Sequence, residues 1–283
     1  MKRKITTLLL ILTIIFAGIP IAVNADTTNY VSSYSTTYQT GIKDGIIPKS
    51  VSLEEFSKTC KEIIEPAYKA YKADGGTETF QAFAKENNYE QEEPGANDVK
   101  TTNVTAMDHP PVTSKGVLRT SAKTGYKMKA GDILIVYGTR ITPRYIGHAA
   151  IATSSKYVME MTGPKHKSEH NTKAAFFKRN TTGSKYVLVY RIKKHPHYAD
   201  DASTYAYKHM YKKDRIQKYY ISPRLYHKDP SYCSKFVYLS YYWGATKSSV
   251  KYLTEIHIVT PHALIGDFKG TFKPSKIHKI TKY

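Results

Sequence analysis

Four apolar runs crowd between residues 133 and 191, and they restrict the fold more than any other feature of the chain. They are Ile133-Leu134-Ile135-Val136-Tyr137, His148-Ala149-Ala150-Ile151-Ala152, Tyr157-Val158-Met159-Glu160-Met161 and Tyr186-Val187-Leu188-Val189-Tyr190-Arg191. Short apolar runs bounded by turn formers read as strands. Gly131-Asp132 introduces the first, and Ser154-Ser155 makes a turn between the second and third, so those two form a hairpin. Helical patterns follow, from Asp201 to about Lys213 and again from Cys233. Glu255-Ile256-His257-Ile258-Val259, closed by Thr260-Pro261, reads as a final strand. Strands followed by helices, rather than alternating with them, point to an α+β domain with an antiparallel sheet.

The chain before this block is organised differently. Residues 1–25 have the pattern of a secretory signal peptide: Lys2, Arg3 and Lys4, an apolar run from Leu8 to Phe16, and the small-residue site Val23-Asn24-Ala25. That run is short for a membrane span, and no later stretch is apolar enough to cross. The expectation is an exported protein, secreted or held at the cell wall. Residues 26–50 are rich in Ser, Thr and Tyr without a clear period and read as a flexible or extended arm. Ser52 to about Lys72 reads as a helix, with Ser52 and Glu55 as its capping box and Phe56, Cys60, Ile63, Ile64 and Tyr68 on one face. Asp74-Gly75-Gly76 ends it, and a short helix from about Glu78 to Glu86 follows. Residues 87–115, with Pro94-Gly95 and Pro110-Pro111, read as a linker or long loop.

The formal charge is +20, and loss of the leader takes three positive charges with it, leaving about +17. Such a chain is drawn to polyanions. Outside the cell these are anionic wall polymers or a membrane surface, and export argues against nucleic acid. A solvated lysine-rich surface with no partner explains the charge equally well.

The stretch with the most chemistry is Asp229-Pro230-Ser231-Tyr232-Cys233-Ser234-Lys235-Phe236-Val237. It reads as a helix start, with Asp229 or Ser231 as the cap and Cys233 in the first turn. A thiol there meets unpaired amide donors and the positive end of the helix dipole, both of which favour the thiolate. A lone helical cysteine is nevertheless more often an inert core residue. A nucleophile needs a base, and the base an orienting partner. His148 opens a strand after Gly147, and the hairpin sets Glu160 across from it. Taken alone, His148 is also readable as an ordinary strand-end histidine. The other cysteine, Cys60, has a sufficient role on a helix face. An even count in an exported chain allows a disulfide, but a chain of this length does not need one. His166 and His170 have a metal-ligand spacing, in a polar segment that reads more simply as loop. No metal and no cofactor is expected.

Three of these segments together resemble a known family. Gly131-Asp132-Ile133-Leu134, Gly147-His148-Ala149-Ala150-Ile151 and Val158-Met159-Glu160 resemble the core hairpin of NlpC-type papain-like peptidases. Because Tyr232-Cys233-Ser234 follows the strands, the order is that of the circularly permuted, YiiX-like branch, related in order to lecithin retinol acyltransferase-like proteins. Ile258-Val259-Thr260-Pro261-His262-Ala263-Leu264 is similar to that branch's closing segment. The resemblance covers about residues 126–270. It implies a permuted papain-like catalytic domain over 116–283, after an N-terminal region of arm, helices and linker over 26–115. It also implies Cys233 as nucleophile, His148 as base and Glu160 as the orienting residue. Tyr232, or a tyrosine between 205 and 220, would line the substrate site. The activity implied is a cysteine hydrolase cleaving an amide bond of a cell-wall peptide or a small or lipid-linked amide. The alternatives are a thiol acyltransferase, and a non-catalytic basic surface-binding protein on the same scaffold.

Overall fold

The computed structural model describes residues 27–91, 103–105, 112–113, 116–117, 126–138 and 147–283. The leader expected at 1–25 and most of the linker expected at 87–115 lie outside these residues. The rest is the α+β arrangement expected, with an antiparallel sheet and the cysteine helix packed against it.

The segment expected to be a loose arm is helix α1, Thr27–Lys43. Its buried positions are Tyr34, Thr37 and Gly41. That is helical spacing carried by residue types that do not register as apolar. Tyr34 gives its hydroxyl to Glu65, Tyr38 donates to the Val51 carbonyl at 2.8 Å, and Thr37 donates to Ser33 one turn back at 2.6 Å. The next helix starts at the Ser52 cap, whose Oγ accepts from the Glu55 amide at 3.1 Å. It runs as α2, Leu53–Thr59, a π turn, Cys60–Ile64, and α3, Glu65–Ala73. Pro66 falls in the first turn of α3, just past the π turn, where its missing N–H is tolerated. Phe56, Cys60, Ile63, Ile64 and Tyr68 are all buried, as their spacing predicts. They meet α4, Phe80–Glu86, in a core that also takes in Tyr232 and Ile258 from the far end of the chain. The helical layer is therefore packed directly on the segment that presents Cys233.

The main sheet has the order β9-β8-β4-β5-β6-β7, all antiparallel, with β1 added parallel to β9. The strands are β1 Asn103–Thr105, β4 Ile133–Tyr137, β5 His148–Ala152, β6 Tyr157–Glu160, β7 Glu169–Thr172, β8 Tyr186–Arg191 and β9 Ser275–Lys282. Val112–Thr113 and Gly116–Val117 pair separately as β2 and β3. One face carries Leu134, Val136, Ala150 and Val158 against α5, Lys173–Asn180. The other carries Ile133, Ile135, Ala149 and Ile151 against α6, Pro196–Tyr207, and α7, Cys233–Leu239. Phe236, Val237 and Leu239 of α7 are fully buried there. Each such side chain contributes about 1.5–3 kcal/mol of burial free energy.

The strand expected over 255–259 does not form. Ile256 makes one isolated bridge to Arg224, and the rest is an irregular strap. The Glu255 carbonyl accepts from the Leu225 amide at 2.8 Å and the His257 N–H donates to the Pro223 carbonyl at 2.7 Å, while the Val259 N–H donates to Tyr232 Oη at 3.0 Å and its carbonyl accepts from Ser234 Oγ at 2.7 Å.

Two glycines explain the motifs that introduce β4 and β5. Gly131 has φ +78° and lies against α6, where a Cβ would fall 2.3 Å from the Ala199 carbonyl oxygen. Gly147 has φ +63°, and a Cβ there would press on His262 Nε2 at 3.2 Å. Both need a residue without a side chain and with left-handed freedom.

Candidate active site

Cys233 is the first residue of α7, with Tyr232 as an extended N-cap and no side-chain cap. This corrects the expected capping. Asp229 instead accepts from the amides of Gln217, at 3.0 Å, and Lys218, at 3.2 Å, and Ser231 Oγ is buried without a hydrogen bond. The chain entering the helix is held by Lys235, a fully buried lysine that had no evident role in the sequence. Its ammonium donates to the carbonyls of Arg224, at 2.7 Å, and Pro230, at 3.1 Å. Burial pulls its pKa down to about 7, against the opposing field of Asp229.

The small side chain of Ala149 lets α7 approach the head of β5. There the His148 ring and the backbone amides of Ala149 and Ser234 lie near enough to the Cys233 sulfur to favour its thiolate. His148 Nε2 is 2.7 Å from Glu160 Oε2, which leaves Nδ1 for the sulfur. The three residues singled out in the sequence thus stand together. The register differs by two residues from that expected. Glu160 lies opposite Ala150, not His148. His148 and Ala150 share a face, so the carboxylate reaches the imidazole diagonally.

What holds Glu160 leaves no signal in the sequence pattern. Its side chain is wholly buried, and Oε1 accepts from Asn171 at 2.9 Å and from Arg179 at 2.5 Å. Asn171 stands on the polar strand β7 and Arg179 at the end of α5. Neither segment has a pattern that marks it.

Tyr232 does not line a substrate site. It is 1% exposed, its oxygen is taken by the Val259 amide, and its ring lies in the core of the helical layer. It braces Cys233 from behind. The tyrosines after 205 gather elsewhere: Tyr207 and Tyr211 flank His170, and Tyr205 rests on Gly244. His166 pairs with Glu169 at 2.7 Å and His170 with Thr153 Oγ1 at 2.8 Å, so the two histidines do not converge. A wall absent from the expectations stands on the other side. Tyr186, Tyr137 and His262 stack in series, with centroids 5.3 and 4.2 Å apart. His262 Nδ1 is 2.8 Å from Glu90 Oε2, off hydrogen-bond alignment. Asn87 Oδ1 accepts from the Thr260 amide at 3.2 Å. The helical layer therefore meets the 255–262 strap through Asn87 and Glu90.

The electrostatics favour an ion pair. Burial opposes a Cys233 thiolate, but the hydrogen bond and charge of His148 outweigh it and hold the thiol below its ordinary range. Burial likewise opposes a charged His148, yet its bonds to Cys233 and Glu160 push it up to about 9. Burial works against an ionised Glu160, and His148 and Arg179 reverse it. Thiolate and imidazolium therefore coexist from the depressed thiol pKa up to about pH 9. Cys60 is free, fully buried and has no cation beside it, so burial raises its thiol. Iodoacetamide is expected to alkylate Cys233 well below the ordinary thiol value of about 8.5 and to leave Cys60 intact. Peptide mapping after a pH series checks this, and equal modification of both residues contradicts it.

Residues 100–280 match the family described as lipoprotein N-acylation protein LnsA-like. The chain belongs to that family. The match takes in every residue of the Cys233–His148–Glu160 arrangement and the Asn171–Arg179 support, and it leaves out helices α1 to α4. An uncharacterized 30.3 kDa protein of Bacillus thuringiensis is 30% identical over 254 residues, 86% of this chain and 88% of its own. That similarity is long enough to include part of the helical layer. No solved structure matches the chain. Among the described residues, no helix is long and apolar enough to cross a membrane.

Proposed function

We propose that this chain is an exported thiol acyltransferase that N-acylates lipoproteins, built on a permuted papain-like scaffold. The observation that supports it most is the grouping of Cys233 beside a His148 that is hydrogen-bonded to Glu160, in a chain of an N-acylation family. The Cys233 thiolate attacks the carbonyl carbon of a lipid ester, and a carbon–sulfur bond forms. The oxyanion is met by backbone N–H groups at the head of α7. As the carbon–oxygen bond breaks, the His148 imidazolium passes its Nδ1 proton to the leaving alkoxide. This gives an alcohol and a thioester on Cys233. The neutral imidazole then takes a proton from the incoming amine, the amide bond forms, and Cys233 leaves as thiolate. Glu160 holds the imidazole by its other nitrogen throughout. Hydrolysis follows the same course with water in place of the amine. A scaffold retired to binding has no use for a buried carboxylate held by three partners behind a histidine.

The test is product analysis. The protein is incubated with an ester lipid and a diacylated lipopeptide that has a free terminal amine, and products and protein are followed by mass spectrometry. An acyl adduct on the Cys233 peptide, released by hydroxylamine, together with N-acylated lipopeptide is the expected result. Free fatty acid as the sole product makes the chain a hydrolase. N-acylated product without any adduct on Cys233 removes the thioester mechanism.

A further inference from the structure

Where the nucleophile helix runs out, at the end of the chain segment opposite Cys233, the surface changes character. Trp243 is the single tryptophan of the sequence and is 40% exposed. Tyr252 is 71% exposed, the most of any large hydrophobic among the described residues. The two belong to one cluster. Tyr252 stacks on Tyr226 at 5.3 Å and 9°, Tyr226 meets Tyr242 at 4.8 Å, and Tyr242 meets Trp243 edge-on at 4.6 Å. The Lys247 ammonium stands 4.9 Å from the Trp243 ring, with Lys251 exposed beside Tyr252.

We propose that this cluster is a docking surface for an anionic phospholipid bilayer. Trp and Tyr favour the headgroup level of a membrane, where an apolar ring and a polar edge are both satisfied, and neighbouring lysines reach phosphate. The charge complements such a surface. No acidic residue lies between Phe236 and Leu253, and the whole chain is +20. Of the acidic side chains nearest in sequence, Asp229 accepts from the amides of Gln217 and Lys218 at 3.0 and 3.2 Å, and Glu255 lies 3.9 Å from the His227 ring. The surface is also built in advance. Tyr226 Oη donates to the Leu253 carbonyl at 2.9 Å and accepts from its amide at 3.0 Å, while Tyr238 donates to the Lys251 carbonyl at 2.6 Å. The 247–253 loop is thereby pinned, so insertion costs little ordering entropy. A soluble polyanion would engage the lysines and leave the rings with nothing to gain. The purpose of the surface rests on the acyl-transfer reading, because a lipid ester donor and a lipoprotein acceptor both lie in a membrane.

The lone tryptophan reports on its own site. Full-length protein is titrated with phosphatidylglycerol vesicles, with phosphatidylcholine vesicles and with soluble polyphosphate, following Trp243 emission. A blue shift with phosphatidylglycerol alone, quenched by brominated acyl chains, is the expected result. In co-sedimentation, Lys247→Ser with Tyr252→Ser is expected to weaken binding about tenfold. Both side chains are exposed, so the fold is retained, and transfer from a short-chain water-soluble ester is expected to stay at the wild-type rate. Vesicle binding with Trp243 emission unchanged overturns the proposal, because another surface is then responsible. An equal shift with polyphosphate overturns it as well. Cys233→Ala is expected to bind vesicles like the wild type. If the protein binds but transfers no acyl group, the catalytic reading fails and the docking surface stands.

Discussion

Cys233→Ala, His148→Ala and the double variant are expected to bring acyl transfer down to one common floor, at least about 10⁴-fold below the wild type. The floor is common because the two residues work as a unit. Without His148 the thiolate loses the partner that holds its pKa down, and the leaving group loses its acid. Without Cys233 the imidazole has nothing to activate. Single-turnover rates of the three proteins on one ester substrate check this. A double variant slower than both singles by a further large factor would mean that the residues act independently. Glu160→Gln belongs to the same series at a lower level. A glutamine can still orient the ring, but the negative charge that helps keep His148 at about 9 is gone. The variant is expected to lose activity at a lower pH than the wild type as the imidazolium deprotonates early. The stability linked to Glu160 has its own sign. Its carboxyl is held below its ordinary pKa, so the His148 and Arg179 pairing is fully present above the unfolded value and fades as the pH falls through the folded one.

How far the sequence reveals this site depends on which residues carry a pattern. Strands β4, β5, β6 and β8 are apolar enough on both faces to read directly. Cys233, His148 and Glu160 stand out because each follows or ends a recognisable element. What supports them is written in polar residues. Asn171 lies in Glu169-His170-Asn171-Thr172, and β9 in Ser275-Lys276-Ile277-His278-Lys279-Ile280, and neither announces a strand. β7 is an edge strand, where charge is tolerated because one side of its backbone is unpaired, and β9 lies between β8 and the short β1 with most of its side chains half-buried or exposed, so neither carries a hydrophobic signal. Helix α1 is hidden for the opposite reason. Tyrosine and threonine do the work of core residues there, their hydroxyls satisfied by Glu65, Val51 and the preceding turn. The apolar run at 255–259 misleads because its burial is real, with Ile258 and Val259 fully inside, while its backbone bonds are divided between the 223–225 backbone and the side chains of Tyr232 and Ser234. Apolar patterning reports burial and is silent on which partner the backbone takes.

The Gly131-Asp132 pair shows how a family motif can be structural throughout. Asp132 is fully buried at the end of β4 away from His148, which pairs with Val136 at the other end. Its two oxygens accept from Arg191 Nε and Nη2 at 2.6 Å each, from Tyr126 Oη at 2.7 Å and from the Lys129 amide at 2.8 Å. Gly131 gives its carbonyl to the Tyr241 hydroxyl, and this joins the start of β4 to the far end of the nucleophile helix. Asp132→Ala is therefore expected to cost about 3–5 kcal/mol of stability, because the Arg191 guanidinium is left without its counter-charge in a largely buried place. Against a total of about 5–15 kcal/mol, that loss is enough to lower the urea midpoint severely. Replacing both partners removes the stranded charge, so Asp132→Ala with Arg191→Met is expected to be less destabilised than the two single losses added together. Urea unfolding of the four proteins gives the coupling directly, and strict additivity would show that the pair does not act as a unit. The folded fraction of either variant is expected to keep the wild-type rate of transfer, because no group in the pair touches Cys233, His148 or Glu160. The motif stabilises the strand that stands beside the site, and the chemistry begins one strand over, at Gly147 and His148.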